Sequence, residues 1–507
     1  MIARLSCGGL QGVDAFRVDL EVDLTRRGMP AFTLVGLAET AVREAKDRVF
    51  AALRAEGFTI PPCRITVNLS PADRRKTGAA YDLPLAVGIL SAAGLLAPER
   101  TQGWFLAGEL SLTGTLNPVP GVLPLALLAR REGARGMLVP PEIAAEAAVV
   151  RDIPILAPRT LGECVAFLSG THSLEPVSAA AALFSNNDAH APDFAEVKGQ
   201  MAAKRALEIA AAGGHNVLLI GPPGSGKTML AQRLPTILPP LTFEEALEVT
   251  KIYSVAGKLP ENHGLMRQRP FRSPHHTISE TALAGGGSHP RPGEVSLAHR
   301  GVLFLDELPE YKKQALEVLR QPLEDGKVTI ARALQSVTYP ASCMLVAAMN
   351  PCPCGYSTDP DHACTCTPAQ ISRYRGKLSG PLLDRIDLHV EVPAVPYEEL
   401  RAGPGPLTSA VLREHVTAAR ERQQRRYMNT PCRTNAELNG ALLERHCALK
   451  SDGHSLMRET VRKLHLSARA YTRILRLART IADLEDTDCL AARHLHEAVT
   501  LRTLDRE

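Results

Sequence analysis

Aromatic residues are scarce in this 507-residue chain: they make up 4% of it, and Trp104 is the single tryptophan. Proteins that bind single-stranded nucleic acid by stacking its bases need several exposed aromatic rings, so that class of binding surface is disfavoured. Charge of one sign is lacking as well, because 58 Lys and Arg residues stand against 54 Asp and Glu, a net charge of +4. The chain therefore does not coat nucleic acid with a uniformly basic surface, and any such contact must come from local clusters.

Long apolar runs are also missing from the sequence. No run reaches the roughly 20 residues that a membrane-spanning helix needs, and the best stretch, 83–97, predicts a buried helix. The N-terminal string MIARLSCGGLQG has neither the charged start nor the apolar core of a signal peptide. We therefore expect a cytoplasmic protein with no membrane contact, in which the eleven cysteines are reduced.

The alternation of strand and helix patterns predicts an α/β multidomain chain. The first predicted domain covers residues 1–170, and a small, polar, proline-containing linker follows at 171–193. Residues 194–395 alternate strands and helices, whereas 396–507 lack strand signals and predict a helical domain. Its helices are expected near 409–427, 435–447, 451–463, 468–484 and 490–503.

Residues 216–228, NVLLIGPPGSGKT, predict a phosphate-binding loop between an apolar strand and a helix. Backbone N–H groups at a helix N-terminus cradle phosphate oxygens, and the glycines allow the close approach. Lys227 is expected to reach the β and γ phosphates and Thr228 to ligate Mg²⁺. The predicted nucleotide-binding set is Gly221, Pro222, Pro223, Gly224, Ser225, Gly226, Lys227 and Thr228.

Two further apolar strands end in polar residues. VLFLDE, 302–307, places Asp306 to bind Mg²⁺ and Glu307 to polarise the attacking water. CMLVAAMN, 343–350, places Asn350 to orient that water or to contact the γ phosphate, with a simple strand-end cap as the alternative. We therefore expect ATP and Mg²⁺ as cofactors.

The chain resembles the AAA+ ATPases and, more closely, the magnesium-chelatase-like proteins of the ComM (YifB) family. The strings that carry the resemblance are VKGQMAAKRALEIAAAGGHNVLLIGPPGSGKT, RPFRSPHHTISETALAGGG, GVLFLDELPEY, AAMNPCPCGY and SGPLLDRIDLHVEVP. The resemblance implies a P-loop AAA+ core with a helical lid, assembled as a hexameric ring. It also implies sequence-independent binding of single-stranded or branched DNA, and branch migration alongside recombination proteins in natural transformation.

The resemblance implies roles for two arginines near the nucleotide. Arg385 in LLDRIDL matches the arginine finger that would reach a neighbouring subunit's γ phosphate. Its alternative is an ion pair with Asp384 or Asp387. Arg469 matches the arginine at the nucleotide sensor of the lid, and Arg473, one turn later, is the competing residue.

The resemblance also implies two loops that face the pore of the ring. Residues 326–339 match a β-hairpin in which Arg332 would grip DNA phosphates without reading sequence. RPFRSPHH, with Arg272, His275 and His276, matches an inserted loop that faces the same pore. An exposed loop without that role is the alternative for the second string.

The N-terminal segment resembles the proteolytic domain of Lon. The similar strings are KTGAAYDLPLAVGIL and 108–140. Ala80 stands at the position of the nucleophilic serine and Leu125 at that of the activating lysine, so we expect a non-catalytic α+β domain. The basic run of Arg74, Arg75 and Lys76 is expected to be solvated.

Cys352, Cys354, Cys364 and Cys366 form two C-x-C pairs ten residues apart. Four thiolates bind zinc tetrahedrally, although C-x-x-C is the more familiar spacing. The sequence leaves open whether this loop holds a structural Zn²⁺.

The leading hypothesis is therefore an ATP-dependent motor that moves along DNA. The alternative is a remodelling ATPase with a protein client, like the magnesium chelatase ATPase subunit. The Lon-like segment and the cysteine loop are taken to count against that alternative, and Ala80 and Leu125 count against a Lon-type protease.

Overall fold

The computed structural model describes residues 2–26, 29–178, 192–260, 264–287, 290–332, 335–359, 361–401, 405–502 and 504. The chain forms two compact units. The first contains residues 1–187 and 243–266, and the second contains 188–242 and 267–507. Residues 243–266 lie within the segment 194–395, which is predicted to be one domain, but they belong to the first unit. The compact units and the predicted domains thus divide the chain differently, and the predicted domain boundaries stay a prediction.

The first unit contains a mixed sheet of seven strands in the order β3-β4-β2-β1-β5-β8-β9, and a two-stranded ribbon of β6 and β7. Its described strands are β1 Ile2–Gln11, β2 Asp14–Thr25, β3 Ala31–Val35, β4 Arg64–Ser70, β5 Trp104–Leu106, β6 Glu109–Leu110, β7 Leu116–Asn117, β8 Gly136–Leu138 and β9 Ile155–Leu156. The helices before the linker are α1 Thr40–Ala55, α2 Asp82–Ala92, α3 Pro98–Thr101, α4 Val122–Arg131, α5 Pro141–Ala147 and α6 Leu161–Ser169.

Helix α2 is the centre of this unit, because all eleven of its residues are buried. It packs on β1 and β2. A Cβ atom on Gly88 would lie 2.9 Å from the Val22 side chain and 3.0 Å from that of Leu20, so glycine lets helix and sheet approach closely. Residues 83–92 of the apolar run thus lie in a buried helix, as predicted, whereas 93–97 follow its end and Leu95 is exposed. No described helix is long and apolar enough to cross a membrane.

The second unit is built on a five-stranded parallel sheet in the order β11-β14-β17-β10-β18. Its described strands are β10 Val217–Ile220, β11 Phe271–Arg272, β12 Gly285–Gly286, β13 Arg291–Pro292, β14 Val302–Leu305, β15 Lys327–Arg332, β16 Gln335–Pro340, β17 Met344–Met349 and β18 Leu388–Glu391. Strands β10, β14 and β17 are buried along their whole length, as expected for a parallel sheet covered on both faces.

The helices from residue 201 onward complete the described structure. They are α7 Met201–Gly213, α8 Lys227–Ile237, α9 Phe243–Ala256, α10 Glu280–Ala284, α11 Glu294–Leu297, α12 Lys313–Glu317, α13 Arg320–Asp325, α14 Pro368–Arg375, α15 Gly380–Leu383, α16 Tyr397–Arg401, α17 Ser409–Arg426, α18 Gly440–His446, α19 Ser451–Leu464, α20 Ala468–Leu484 and α21 Ala492–Thr500. Three 3₁₀ turns occur at Phe194–Glu196, Leu308–Glu310 and Asn435–Glu437.

Helix α9 is the part of 243–266 that packs on α4 in the first unit. At its C-terminal end the Ser254 carbonyl accepts a hydrogen bond of 3.0 Å from the Gly121 backbone N–H. The C-terminal domain is helical, as predicted, with one difference. The single helix expected at 435–447 is a 3₁₀ turn followed by α18, because Asn439 adopts an extended conformation between them.

Candidate active site

The phosphate loop joins the end of β10 to the start of α8. Gly224 and Gly226 have φ angles of 78° and 90°, a region that favours glycine, and a Cβ on either would meet nothing within 4 Å. At Gly221 a Cβ would instead lie 2.0 Å from the Val392 carbonyl oxygen. A side chain therefore has no room at Gly221, whereas the loop borders open space at Gly224 and Gly226.

Lys227 is buried beneath this loop. Its Nζ donates to the carbonyls of Gly221 and Pro222, both at 2.8 Å, and to Asn350 Oδ1 at 3.3 Å. Burial lowers the pKa of Lys227, against the opposing charge of Asp306. Strand β17 is hydrogen-bonded to β10 on one side and β14 on the other, which brings Asn350 to the lysine.

The hydroxyl of Thr228 donates to Asp306 Oδ2 at 2.8 Å. The other carboxylate oxygen accepts from the Glu307 backbone N–H at 2.9 Å. Glu307 has a φ of 52°, and its side chain is 58% exposed. The three strand ends thus bring Thr228, Asp306, Glu307 and Asn350 to one edge of the sheet.

These residues fit a Mg²⁺–nucleotide. The Ser225 hydroxyl oxygen, which lies inside the loop, is buried without a hydrogen-bond partner among the described residues. A phosphate oxygen is the kind of group that would satisfy it. Thr228 and Asp306 supply adjacent oxygen ligands of the type that Mg²⁺ takes alongside substrate phosphates.

A contact between His276 and Glu307 was not predicted from the sequence. His276 Nδ1 lies 3.2 Å from Glu307 Oε2, and the imidazole ring lies 6.4 Å from the ring of Tyr311. The Tyr311 hydroxyl donates to the Pro274 carbonyl at 2.6 Å and so ties the RPFRSPHH string to the residues after β14. No local signal in the sequence connects residues 276 and 307, because only the order of the strands brings them together.

A cavity of about 400 Å³ opens beside Glu307 and Asn350. Arg373, Tyr374 and Lys377 also line it. Lys377 Nζ pairs with Glu310 Oε1 at 3.0 Å. Two cationic side chains therefore border the space next to the candidate catalytic carboxylate, and neither was predicted from sequence.

Arg385 is held by its own chain. Its guanidinium donates to the Pro381 carbonyl at 2.7 Å and to that of Arg320 at 3.1 Å, and it pairs with Glu324. Its partner is thus neither Asp384 nor Asp387. The arginine-finger role stays a prediction, since it concerns a second subunit.

The two candidate sensor arginines differ in environment. Arg469 is 67% exposed and donates to Asp384 Oδ2 at 3.1 Å. Arg473 is nearly buried and pairs with Asp387, which also contacts His215 Nδ1 at 3.2 Å. Burial would raise the pKa of Asp387, but the charges of Arg473 and Arg476 and the contact with His215 together outweigh burial and hold that pKa below its usual range. Arg473 therefore holds a buried ion pair, which leaves Arg469 as the exposed arginine on α20.

The expected β-hairpin around Arg332 is present. Strands β15 and β16 pair antiparallel with Lys327 opposite Pro340 and Arg332 opposite Gln335. The Arg332 side chain lies outside the described residues. Arg272, the other predicted DNA contact, donates to Glu294 Oε2 at 2.6 Å and is 31% exposed.

The four predicted cysteines are brought together. Their sulfur atoms all lie within 4.8 Å of one another. Cys352 Sγ lies 3.3 Å from Cys354 Sγ and 3.7 Å from Cys364 Sγ, and the last two are 3.5 Å apart. None of them forms a disulfide.

The first unit places apolar side chains at the two protease-like positions, Ala80 and the buried Leu125. The expectation of a solvated basic run is wrong for Lys76, which is wholly buried. Its Nζ donates to the carbonyls of Pro71 and of Arg74, the latter at 2.9 Å. Three successive basic residues gave no sign that one of them points inward.

Three family profiles match this chain in succession. "Subunit ChlI of Mg-chelatase" matches residues 20–143, "Magnesium chelatase, subunit ChlI" matches 193–400, and "Magnesium chelatase, subunit ChlI C-terminal" matches 406–502. The matched ranges follow the predicted N-terminal, core and C-terminal segments.

Known relatives are similar over almost the full length. The uncharacterized protein YifB of Salmonella typhimurium is 45% identical over 501 residues, which cover 98% of this chain and 96% of YifB. Competence protein ComM of Haemophilus influenzae is 45% identical over 500 residues, with the same two coverages, 98% and 96%. Lon protease 2 of Bacillus subtilis is 31% identical over 157 residues, 28% of this chain and 27% of that protease.

Proposed function

Because the chain belongs to the magnesium-chelatase-like ComM family, we propose that it is an ATP-driven motor that moves along DNA and drives branch migration. Its fold is the expected one: a Lon-protease-like N-terminal α+β domain, a P-loop AAA+ core and a helical C-terminal lid. AAA+ ATPase activity follows from the family. The DNA track, the recombination setting in natural transformation, the hexameric ring and the cytoplasmic location are the parts that we propose.

The observation that carries the ATPase site is the convergence of three strand ends. When bound, ATP with Mg²⁺ supplies the transferable phosphoryl group and the charge that neutralises its oxygens. Lys227 is held under the loop by two carbonyls and Asn350, so its charge is fixed in place. Thr228 and Asp306 would hold the metal, and Glu307 would accept a proton from the attacking water.

His276 and two arginines add to this arrangement. The His276 imidazole, with Nδ1 3.2 Å from Glu307 Oε2, orients the carboxylate. In the proposed ring, Arg385 and Arg469 act at the nucleotide, the first across the subunit interface. Arg385 must then exchange its contact with Glu324 for the nucleotide of the next subunit.

The hairpin of β15 and β16 supports DNA as the track. It presents a two-stranded ribbon that is followed by β17, the strand that leads into Asn350. Arg332 ends its first strand, where six copies in a ring would grip phosphates independently of sequence. A motor of this kind needs no net basic charge, because symmetry repeats a few contacts.

A remodelling ATPase with a protein client remains the second candidate, because all three matching profiles describe the magnesium chelatase ChlI subunit. The argument that the N-terminal segment counts against this candidate fails, since that segment itself matches one of these profiles.

ATP hydrolysis with and without DNA separates the two candidates. We expect single-stranded or branched DNA to stimulate hydrolysis, and Arg332→Ala to abolish the stimulation while basal hydrolysis stays within about twofold. Thr329→Ala, on the same strand, is the matched control. Hydrolysis that is indifferent to DNA would overturn the DNA track and favour the protein client.

A branch-migration assay on a synthetic junction tests the motor directly. The wild type should resolve a three- or four-strand junction with ATP, whereas Glu307→Gln should bind nucleotide without moving the junction, with turnover at least about a hundredfold slower.

A further inference from the structure

We propose that Cys352, Cys354, Cys364 and Cys366 bind one Zn²⁺. The zinc-bound cysteine loop, called the zinc knot below, would then act as a brace that holds the phosphate loop and Asn350 in position. The chain leaves β17 at Met349, passes through Asn350 and reaches Cys352 two residues later. After Cys366 it enters α14 at Pro368. The proposed zinc therefore links the two ends of the segment that connects β17, the strand before Asn350, to α14, the helix that carries Arg373.

The sulfur positions fit tetrahedral zinc. Four sulfurs at about 2.3 Å from Zn²⁺ lie about 3.8 Å apart in a tetrahedron. The sulfurs of Cys352, Cys354 and Cys364 lie 3.3, 3.5 and 3.7 Å apart in pairs, and all four sulfurs lie within 4.8 Å of one another. Disulfide sulfurs would be about 2.05 Å apart. The spacing is thus that of ligands around one ion rather than of two bonded pairs.

Backbone groups also favour thiolates at this position. The Cys354 N–H points at Cys366 Sγ and the Cys366 N–H at Cys364 Sγ, both at 3.4 Å. Such N–H···S contacts are the outer-shell bonds that orient metal-bound sulfur. The nearby His362 instead contacts Asp359 Oδ2 at 3.2 Å, so it stands outside the ligand set. Binding converts four thiols and Zn²⁺ into a tetrathiolate complex and releases four protons.

The loop is anchored on both sides. Thr367 and Gln370 form a capping box at the start of α14, directly after the last cysteine. Arg375 Nε, at the end of that helix, donates to the Pro351 carbonyl at 3.3 Å. The described residues between Asn350 and α14, 351–359 and 361–367, therefore form a compact knot.

Gly355 connects this knot to the phosphate loop by packing against it. It has a φ of 92°, and a Cβ at this residue would lie 2.6 Å from Cδ of Pro223. The glycine between the cysteine pairs thus packs directly on the phosphate loop. This brace rests on the proposed nucleotide site, whereas the zinc itself does not.

Metal analysis of the purified full chain tests the zinc. We expect about one zinc per chain by elemental analysis, with four thiols that react with a thiol reagent only after a chelator is added. Cys364→Ser should lose the metal, while Cys489→Ser, which removes an exposed cysteine elsewhere, should keep it. Substitution of Co²⁺ should give the visible bands of a tetrahedral tetrathiolate. Negligible zinc with four freely reacting thiols, or stoichiometric iron, would overturn the assignment.

Gly355→Ala separates the brace from the metal, because it keeps all four ligands. We expect normal zinc content but nucleotide affinity, measured with a fluorescent ATP analogue, to fall about tenfold. Gly440→Ala is the matched control, since Gly440 also has a positive φ, 46°, but nothing within 4 Å of a Cβ. Equal affinities in the two variants would overturn the brace. Wild-type protein that holds zinc but binds no nucleotide would overturn the proposed function and leave the zinc standing.

Discussion

Two of the buried lysines, Lys76 in the first compact unit and Lys227 in the second, lie in different surroundings. Lys76 and Lys227 both donate to backbone carbonyls, and burial lowers the pKa of each. Around Lys227 stand an open glycine loop, a hydroxyl, two carboxylates and an amide. In the other unit, the protease-like positions hold Ala80 and Leu125, neither of which can act as a nucleophile or base. A buried lysine is therefore evidence for chemistry only when reactive groups converge on it.

Replacing Lys227 gives the largest expected effect. Lys227→Ala should reduce ATP hydrolysis about a thousandfold, because it removes the fixed cation that stabilises charge on the phosphates. The measurement is phosphate release at saturating ATP, with circular dichroism to confirm folding. Lys76→Met is the matched control and should leave turnover per folded molecule unchanged. If Lys227→Ala hydrolysed ATP normally, the assigned site would be wrong.

Placing a lysine at position 125 tests whether the first unit can regain protease chemistry. Leu125 is 1% exposed, and its Cδ2 would lie 2.4 Å from a Cβ on Gly8. Leu125→Lys should lower the free energy of unfolding by more than about 3 kcal/mol, since it buries a charge in a packed core. Ala80→Ser combined with Leu125→Lys should not cleave an unfolded protein substrate. Cleavage by this double variant would show that only two side chains separate the unit from a protease.

Glu146 should make the stability of the first unit depend on pH. Its side chain is buried, and burial raises the pKa of Glu146 to about 7, while its Oε1 accepts from the Leu123 N–H at 3.0 Å. The folded form favours the protonated acid, so the contribution is complete below the unfolded pKa and is lost as pH rises through about 7. Between pH 5 and 8 the loss should be about 2–3 kcal/mol. Glu146→Gln should flatten this dependence in denaturant unfolding curves, and an unchanged slope would contradict the assignment.

We expect the smallest effect, a modest loss of stability, from Lys76→Met. It leaves the carbonyls of Pro71 and Arg74 without their donor but also removes a buried charge. We expect a loss of stability of about 1–2 kcal/mol, measured as a lower midpoint in thermal unfolding. A larger loss, or loss of ATP hydrolysis, would mean that this lysine does more than satisfy backbone groups.

Much of the fold was predictable because its signals are local. The buried helix within 83–97, the strands that lead into Gly221, Asp306 and Asn350, and the helical C-terminal domain each follow from apolar periodicity and glycine placement. The hairpin at Arg332 was instead expected from the family resemblance. The helix expected at 435–447 was wrong because it is divided at Asn439, where the Asn-Gly pair 439–440 is a turn and helix-start signal that the prediction passed over.

Three further features that were missed depend on residues far apart in sequence. His276 reaches Glu307 across 31 positions because β11, the strand before it, pairs with β14. Helix α9 joins the first unit although its neighbours in sequence belong to the second. Arg373, on α14, and Lys377, just after that helix ends, line the cavity beside Glu307 although they lie 66 and 70 positions further along the chain.

The sequence by itself determined the type of chemistry, since a phosphate loop, a carboxylate pair and four cysteines are recognisable from residue type and spacing. Only the tertiary structure decided which lysine is buried without catalytic neighbours, which arginine is tied into an ion pair and which glycine packs on Pro223. The physical reason is that residue type sets what a group can do. Its pKa, its hydrogen-bond partners and its exposure depend on neighbours that the strand order supplies.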